Sequence, residues 1–390
     1  MMSEHLETLT LPAYPAARAV AATVEAYFAG HLAEARVRSR QQLAPEPDAA
    51  AVEAIIDAAF WASLRREEGY SPKISLAFLP PEQAGQPLTF ERKFPLTASV
   101  LSRLAPAVER PGIHLGVWRD HDGSSELRVW GTTRSIPKLC FVLEVIEPGL
   151  LVVKYRRGQE QGKYVNVAVL KGDEIKMVDE AGSGLPDCPE LVTSLLSFGS
   201  RTLTSDSVNV LVQLSVSMRA HGRGGSLLVV PQGSDEWRRS ILQPVSYLVT
   251  PPFSELAELM RKDPIEKSQP TWQEALVDAV DAIAGLTAVD GAALISDEYE
   301  LLAFGAKIGR PDDGVQIDKV IVTEPIVDGV ATVVHPLELG GTRHLSAAQF
   351  VQDQPESVAL VASVDGRFTI FAWSPCEHMV HAHRVETLLM

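Results

Sequence analysis

Two short stretches decide how the C-terminal part of this chain is read: Asp290-Gly291-Ala292-Ala293-Leu294-Ile295 and Gly340-Gly341-Thr342-Arg343-His344-Leu345-Ser346-Ala347-Ala348. The first puts an acid at the edge of an apolar strand. The second is a strand end that turns through glycines into a helix. Glycine lets backbone approach a ligand closely, and a helix N-terminus offers unsatisfied N–H groups and a partial positive charge that suit a phosphate. Arg343 carries a planar fork of donors, while Thr342 and His344 can reach phosphate oxygens or a metal-bound water.

Working outward, residues Thr271 to Leu286 are amphipathic at helical spacing. Trp272, Leu276, Ala279, Val280 and Ile283 share one face, and Glu274, Asp278 and Asp281 lie elsewhere. Strands are expected over 291–295, 301–304, 319–323, 330–335, 358–363 and 368–373, with one helix after His344. This is an α/β pattern with one dominant sheet. Upstream, Pro251-Pro252, Pro264 and Pro270 mark a linker over 256–270.

The N-terminal residues read differently. Pro15 to Gln42 form an Ala-rich helix, and Pro45-Glu46-Pro47-Asp48 ends it. A second helix carries Val52, Ile55, Ile56, Ala59 and Phe60 on one face. Residues 112–178 are β-rich: IHLGVW, LRVWGT, CFVLEVI, LLVVKY, KYVNVAVL and EIKMV alternate with turn residues. A helix is expected over Ser207 to Ala220. HGRGG closes it and SLLVVP opens a strand.

With 390 residues the chain is long enough for two domains. Its 46% hydrophobic and 22% charged content is globular, and no apolar run approaches the ~20 residues of a membrane span. The first residues lack the pattern of a signal peptide, so a cytoplasmic location is expected, with no membrane partner. Cys140, Cys188 and Cys376 are odd in number and far apart, which argues against a disulfide framework. The net charge of −15 disfavours nucleic acid as a partner. Residues 261–390 hold 9 Lys and Arg against 20 Asp and Glu, so any polyanionic ligand there needs locally placed cations or metal ions.

The Asp290-Gly291-Ala292 strand start and the Gly341-Thr342-Arg343-His344 turn, with LLAFGAKI between them and SAAQF after, resemble the two signature motifs of diadenylate cyclase domains. In that family the motifs read Asp-Gly-Ala and Arg-His-Arg. The resemblance covers about Thr271 to Trp373. It implies condensation of two ATP into cyclic di-AMP with Mg²⁺ or Mn²⁺, across a homodimer or higher homo-oligomer. Asp290 would be the catalytic and metal-holding acid, and His344 a further metal contact. Gly291, Ala292, Gly341, Thr342, Arg343, His344 and Ser346 would surround the nucleotide. AAFWASLRREEG, KISLAF, VLEVIEPGLLVVKY and HGRGGSLLVVP are similar to the probable sensor domain DACNV. The expected fold class is therefore α/β, with a C-terminal α/β/α mixed-sheet nucleotide-binding domain (271–390) behind a larger α+β N-terminal domain. The latter comprises a helical segment (1–45) and a DACNV-like sensor (46–255).

Two departures stand against catalysis. Leu345 occupies the place of the second Arg. Ser363-Val364-Asp365-Gly366 replaces the acidic residues the family carries after its penultimate strand, and Asp365-Gly366 reads as a type I′ hairpin turn. The alternative is a catalytically degenerate nucleotide-binding sensor or effector. Plainer readings exist for single residues: Asp290 as a strand terminator, Arg343 and His344 as a solvated turn, Lys307 facing water. For HGRGGS, a helix C-cap is preferred over a phosphate cradle because no Walker Lys follows. Cys376, His378, His381 and His383 fit no standard zinc spacing and read as part of a terminal helix.

Overall fold

The computed structural model describes residues 13–38, 43–66, 69–120, 126–156, 164–179, 210–311 and 313–390. The chain is mixed α/β with two mixed sheets, and it divides into two compact units, Met1–Val178 and Asp179–Met390.

In the first unit, α1 (Pro15–Arg38), α2 (Ala49–Ser63) and α3 (Ala98–Leu104) accompany eight strands. These are β1 (Ile74–Phe78), β2 (Leu88–Pro95), β3 (His114–Arg119), β4 (Leu127–Thr133), β5 (Phe141–Glu147), β6 (Leu150–Arg156), β7 (Tyr164–Lys171) and β8 (Glu174–Met177). Asp48 starts α2 as expected, its carboxylate accepting the Ala51 N–H at 2.8 Å. The sheet order is β2-β4-β3-β1-β5-β6-β7-β8, with β1 parallel to β3 and antiparallel to β5. One core joins Phe28, Leu32, Ile55 and Ile56 of the helices to Leu76, Leu115, Phe141 and Leu143 of the sheet. A smaller cluster around Trp130 includes Ala77, Leu79 and Val142. The Trp130 indole donates to the Leu79 carbonyl at 2.8 Å. It fills the space a side chain at Gly116 would occupy, since a Cβ there would meet the ring at 2.0 Å.

The second unit holds α4 (Val210–Ala220), α5 (Glu255–Arg261), α6 (Pro264–Lys267), α7 (Pro270–Leu286), α8 (Leu337–Gly340) and α9 (Thr342–Asp353). Its strands are β9 (Gly225–Val230), β10 (Tyr247–Phe253), β11 (Ala292–Ser296), β12 (Leu301–Ala306), β13 (Val320–Thr323), β14 (Thr332–Val334), β15 (Val358–Ala362), β16 (Phe368–Ser374) and β17 (Met379–Arg384). They form one sheet in the order β10-β12-β11-β9-β15-β16-β17-β13-β14. Helices cover both faces. Leu214, Trp272, Leu276 and Ile283 build one core with Ile295 and Leu360, while Ala347, Phe350 and Val351 build the other with Leu294, Val361 and Phe371. Full burial of a ring such as Phe350 contributes roughly 1.5–3 kcal/mol.

Three sequence expectations give way here. The division does not fall at 256–270, and the N-terminal unit is not the larger one. β9 lies in the middle of the second sheet, parallel to β11 and antiparallel to β15. The prolines taken for a linker begin helices instead. Pro264 and Pro270 occupy the first helical turn of α6 and α7, where a missing N–H costs nothing. Asp263 caps α6 by accepting the N–H groups of Ile265 and Glu266, both at 2.9 Å. Pro251 and Pro252 lie in β10, an edge strand whose register with β12 is interrupted between Leu248 and Phe253, the setting in which a sheet tolerates proline. Finally, residues 379–384 form β17 between β16 and β13, not a terminal helix.

Of the cysteines, Cys140 is buried and Cys376 exposed, and Cys188 lies outside the described residues, as do residues 207–209 of the expected helix. Among the described residues no helix is long and apolar enough to cross a membrane.

Candidate functional site

The end of β11 that carries Asp290 is shaped by two glycines. Gly291 has φ +120°, and a Cβ on it would lie 2.4 Å from the Gly305 carbonyl carbon, so backbone meets backbone there. Helix α7 ends in a run of turn hydrogen bonds through Val289, which leads the chain directly into Asp290. The result is a carboxylate that projects from a tightly fixed corner, 93% exposed.

The second segment is also built by glycines. Gly341 has φ +80° and begins α9 with no side-chain cap, so the first N–H groups of the helix stay available to a ligand. Gly340 makes room for His344, whose ring a Cβ would meet at 2.4 Å. Thr342 and Arg343 are exposed and Ser346 is half-buried.

These two segments converge. Asp290, Gly291 and Ala292 line one cavity of about 300 Å³ with Thr342, Arg343 and Ser346. Ser226 of β9, Leu242, and Ala306, Lys307 and Ile308 complete its wall. Lys307 is not simply directed to water: its ammonium forms an ion pair with Asp290. That contact, reinforced at longer range by Arg343, holds the Asp290 carboxyl below the usual carboxylate range.

His344 is placed otherwise than expected. It is buried, its Nδ1–H donates to the Gly340 carbonyl at 3.1 Å, and its ring meets Phe371 edge-on. Burial lowers its pKa. It is not among the residues that line the cavity, so its evident work is to anchor the first turn of α9. Its buried ring does not line the cavity with Asp290, the other residue expected to hold the metal. Gly341 likewise shapes the turn without lining the cavity. Leu345 packs against the core beside Phe350. Near the C-terminus, Cys376 and His378 sit exposed in a turn while His381 and His383 are buried in β17.

The HGRGG turn does more than cap a helix. It closes α4, with the Gly222 N–H donating to the Arg219 carbonyl at 3.3 Å, yet it also passes beneath Arg343. A Cβ on Gly224 would come within 2.6 Å of Arg343 Nη1. Sequence reading missed Ser226 and Leu242 because both lie in the stretch assigned to the other domain. The Asp365-Gly366 hairpin is present, but only Gly366 has positive φ, at 82°, so the turn is not type I′. Asp365 pairs with its neighbour Arg367 at 3.3 Å and does not line the cavity.

In the first unit, a buried polar chain crosses the sheet. Ser75 Oγ and His114 Nδ1 are 2.7 Å apart, and His114 Nε2 and the Tyr164 hydroxyl 2.9 Å. Burial, with Lys154 and Arg156 nearby, lowers the His114 pKa to about 4. Lys154, itself lowered to about 8 by burial, pairs with Glu144 and lies over the Tyr164 ring. A separate cavity of about 430 Å³ is lined by Tyr70, Lys73, Ser102, Arg103 and Glu109 among others.

Comparison with known families matches residues 41–134 to the probable sensor domain DACNV. The match spans α2 through β4, a shorter stretch than the 46–255 expected, and it includes every residue that lines the 430 Å³ cavity. No diadenylate cyclase family matches the C-terminal residues, and no curated protein matches the chain.

Proposed function

We propose that the C-terminal unit is a diadenylate cyclase-like nucleotidyltransferase. It binds ATP in the 300 Å³ cavity and condenses two ATP into cyclic di-AMP in the cytoplasm, under control of the sensor-matching residues. One observation carries this reading. Two segments about fifty residues apart in sequence line a single cavity, one bringing an acid to it and the other an uncapped helix N-terminus.

In the reaction, the 3′-oxygen of one ATP bonds to the α-phosphorus of the other, the bond from that phosphorus to the bridging oxygen breaks, and pyrophosphate leaves. Repetition in the opposite sense closes the ring. Such transfer depends on positioning and charge neutralisation. Arg343, Thr342, Ser346 and the free N–H groups of α9 hold phosphate oxygens, and Asp290 accepts the hydroxyl proton. A cavity of about 300 Å³ suits one nucleotide and not two, so a second copy of the chain brings the other ATP.

Asp290 also fits a Mg²⁺ or Mn²⁺ ion. A single exposed carboxylate is adequate when phosphate oxygens and water complete the shell. Such an ion supplies Lewis-acid neutralisation of charge on the phosphates.

A second reading, nucleotide binding without catalysis, is favoured by Leu345 packing into the core and by Asp365 being spent on Arg367. Incubation of the full chain with ATP and Mn²⁺, followed by mass spectrometry, separates the two. Cyclic di-AMP supports the first. Retained ATP binding with no product at any protein concentration gives the site to a sensor.

A further inference from the structure

Lys307 is the residue whose position the motifs did not announce. It follows directly on β12, and its backbone is clamped: the Leu242 N–H donates to the Lys307 carbonyl at 2.8 Å, and the Gly309 N–H to the Ser240 carbonyl at 2.9 Å. The root of the side chain is therefore fixed while its four-carbon stem stays free, with the side chain 49% exposed. Its partner Asp290 is 93% exposed. An ion pair this open to water is worth little, so exchanging one anionic partner for another costs little. The residues lining the cavity include two cations, Lys307 and Arg343. They come from different elements, one just after the end of β12 and one on the first turn of α9.

The second observation concerns what is missing on α9. The position that resembles a second phosphate-binding Arg is Leu345, and it is committed to the core. A triphosphate in this cavity therefore meets one guanidinium from α9, and a second lining cation has to come from another element.

We infer that Lys307 is that cation: it neutralises Asp290 until a nucleotide arrives, then turns its ammonium to the phosphate oxygens and leaves the Asp290 carboxylate free. The inference rests on the nucleotide reading above and adds a binding residue to it. A compact ammonium with three rotatable donors suits this exchange, because it needs no planar two-point geometry to bind phosphate. The exchange also couples ligand arrival to the charge beside the acid: Asp290 loses its counter-cation when phosphates occupy Lys307.

The test is equilibrium binding of ATP to the full chain by calorimetry, in EDTA and again with Mn²⁺. Wild type binds ATP in EDTA. Lys307→Met weakens that binding about tenfold or more, the scale of one charge-assisted contact, and Lys307→Arg restores most of it. Asp290→Asn leaves Lys307 without its carboxylate and tightens metal-free binding by roughly 3–10-fold through loss of a competing anion; the gain disappears in the Asp290→Asn, Lys307→Met double variant. If Lys307→Met binds as wild type in EDTA while Arg343→Ala does not, the role given to Lys307 is wrong and the nucleotide site stands. Absence of metal-free binding by wild type, with binding in Mn²⁺, overturns the inference in the same way. If neither Lys307→Met nor Arg343→Ala alters binding under any condition, the nucleotide reading itself falls.

Discussion

The guanidinium of Arg343 lies across Gly224, so closely that a Cβ on residue 224 would reach within 2.6 Å of Nη1. A glycine in one loop thus leaves the space that a cation on the first turn of α9 occupies. On the proposed function ATP with Mn²⁺ should raise the thermal midpoint, and Gly224→Ala should displace Arg343 and remove most of that rise. Gly222→Ala is the control. Its φ of +65° carries similar strain, with nothing within 4 Å of the new methyl group. Both variants carry the left-handed backbone cost of roughly 1–2 kcal/mol, and Gly224→Ala adds crowding against the Ala362 carbonyl at 3.2 Å, but only Gly224→Ala should lose the nucleotide response. Equal responses in the two would detach Arg343 from the ligand.

In the proposed reaction, catalysis rests on Asp290. Asp290→Asn keeps the shape and removes the charge, so dinucleotide synthesis should fall by at least ~10²-fold while ATP still binds. Wild-type activity per chain should also rise with protein concentration, because the proposed reaction takes its second ATP from another copy of the chain. Mass spectrometry of product against chain concentration checks both; full activity in the variant would sink the mechanism.

The first unit carries a pH dependence whose sign follows from His114. Its folded pKa of about 4 lies below the unfolded value of 6.5, so between those limits the unfolded chain binds the extra proton. Its contribution to stability is present above pH 6.5 and is lost as pH falls toward 4. The groups that face it, Ser75, Tyr164, Lys154 and Arg156, offer no carboxylate in direct contact. His114→Gln should lower the thermal midpoint at pH 7.5 and flatten its fall between pH 6.5 and 4.5. An unchanged slope would show that His114 is not the group that titrates.

The position of β9 predicts which fragments fold. A fragment of residues 271–390 lacks both β9, between β11 and β15, and β10, beside β12, and so leaves three strand edges without their partners. It should aggregate or melt without a sharp transition, whereas residues 179–390 should unfold cooperatively. A stable, monomeric 271–390 fragment would contradict the sheet order.

Much of this was legible from local pattern. The strand starting at Ala292 and helix α9 were both visible because side-chain period and glycine punctuation are properties of neighbouring residues. Local pattern alone did not bring Asp290 together with Thr342 and Arg343; only the resemblance did, and in the structure the three residues line one cavity. His344 was misplaced because spacing cannot tell whether a histidine on the first helical turn faces the ligand or the core. Gly340, by leaving space for its ring, decides for the core. The prolines misled for a related reason. Proline reads as a break in any linear pattern, yet at Pro264 and Pro270 it begins a helix.

Periodicity, composition and turn chemistry were enough to establish an α/β C-terminal part with an acid and a helix N-terminus as its chemical elements, because each depends on residues a few positions apart. Sheet order, by contrast, depends on pairing between strands far apart in sequence. Only the tertiary structure could put β9 between β11 and β15. With it came Ser226 on the cavity wall, Gly224 beneath Arg343, and a domain boundary before β9 instead of after it. The Lys307–Asp290 pair is of the same kind. The two residues meet because Gly291 and Gly305 let β11 and β12 approach within backbone contact, a closeness that no single stretch of sequence records.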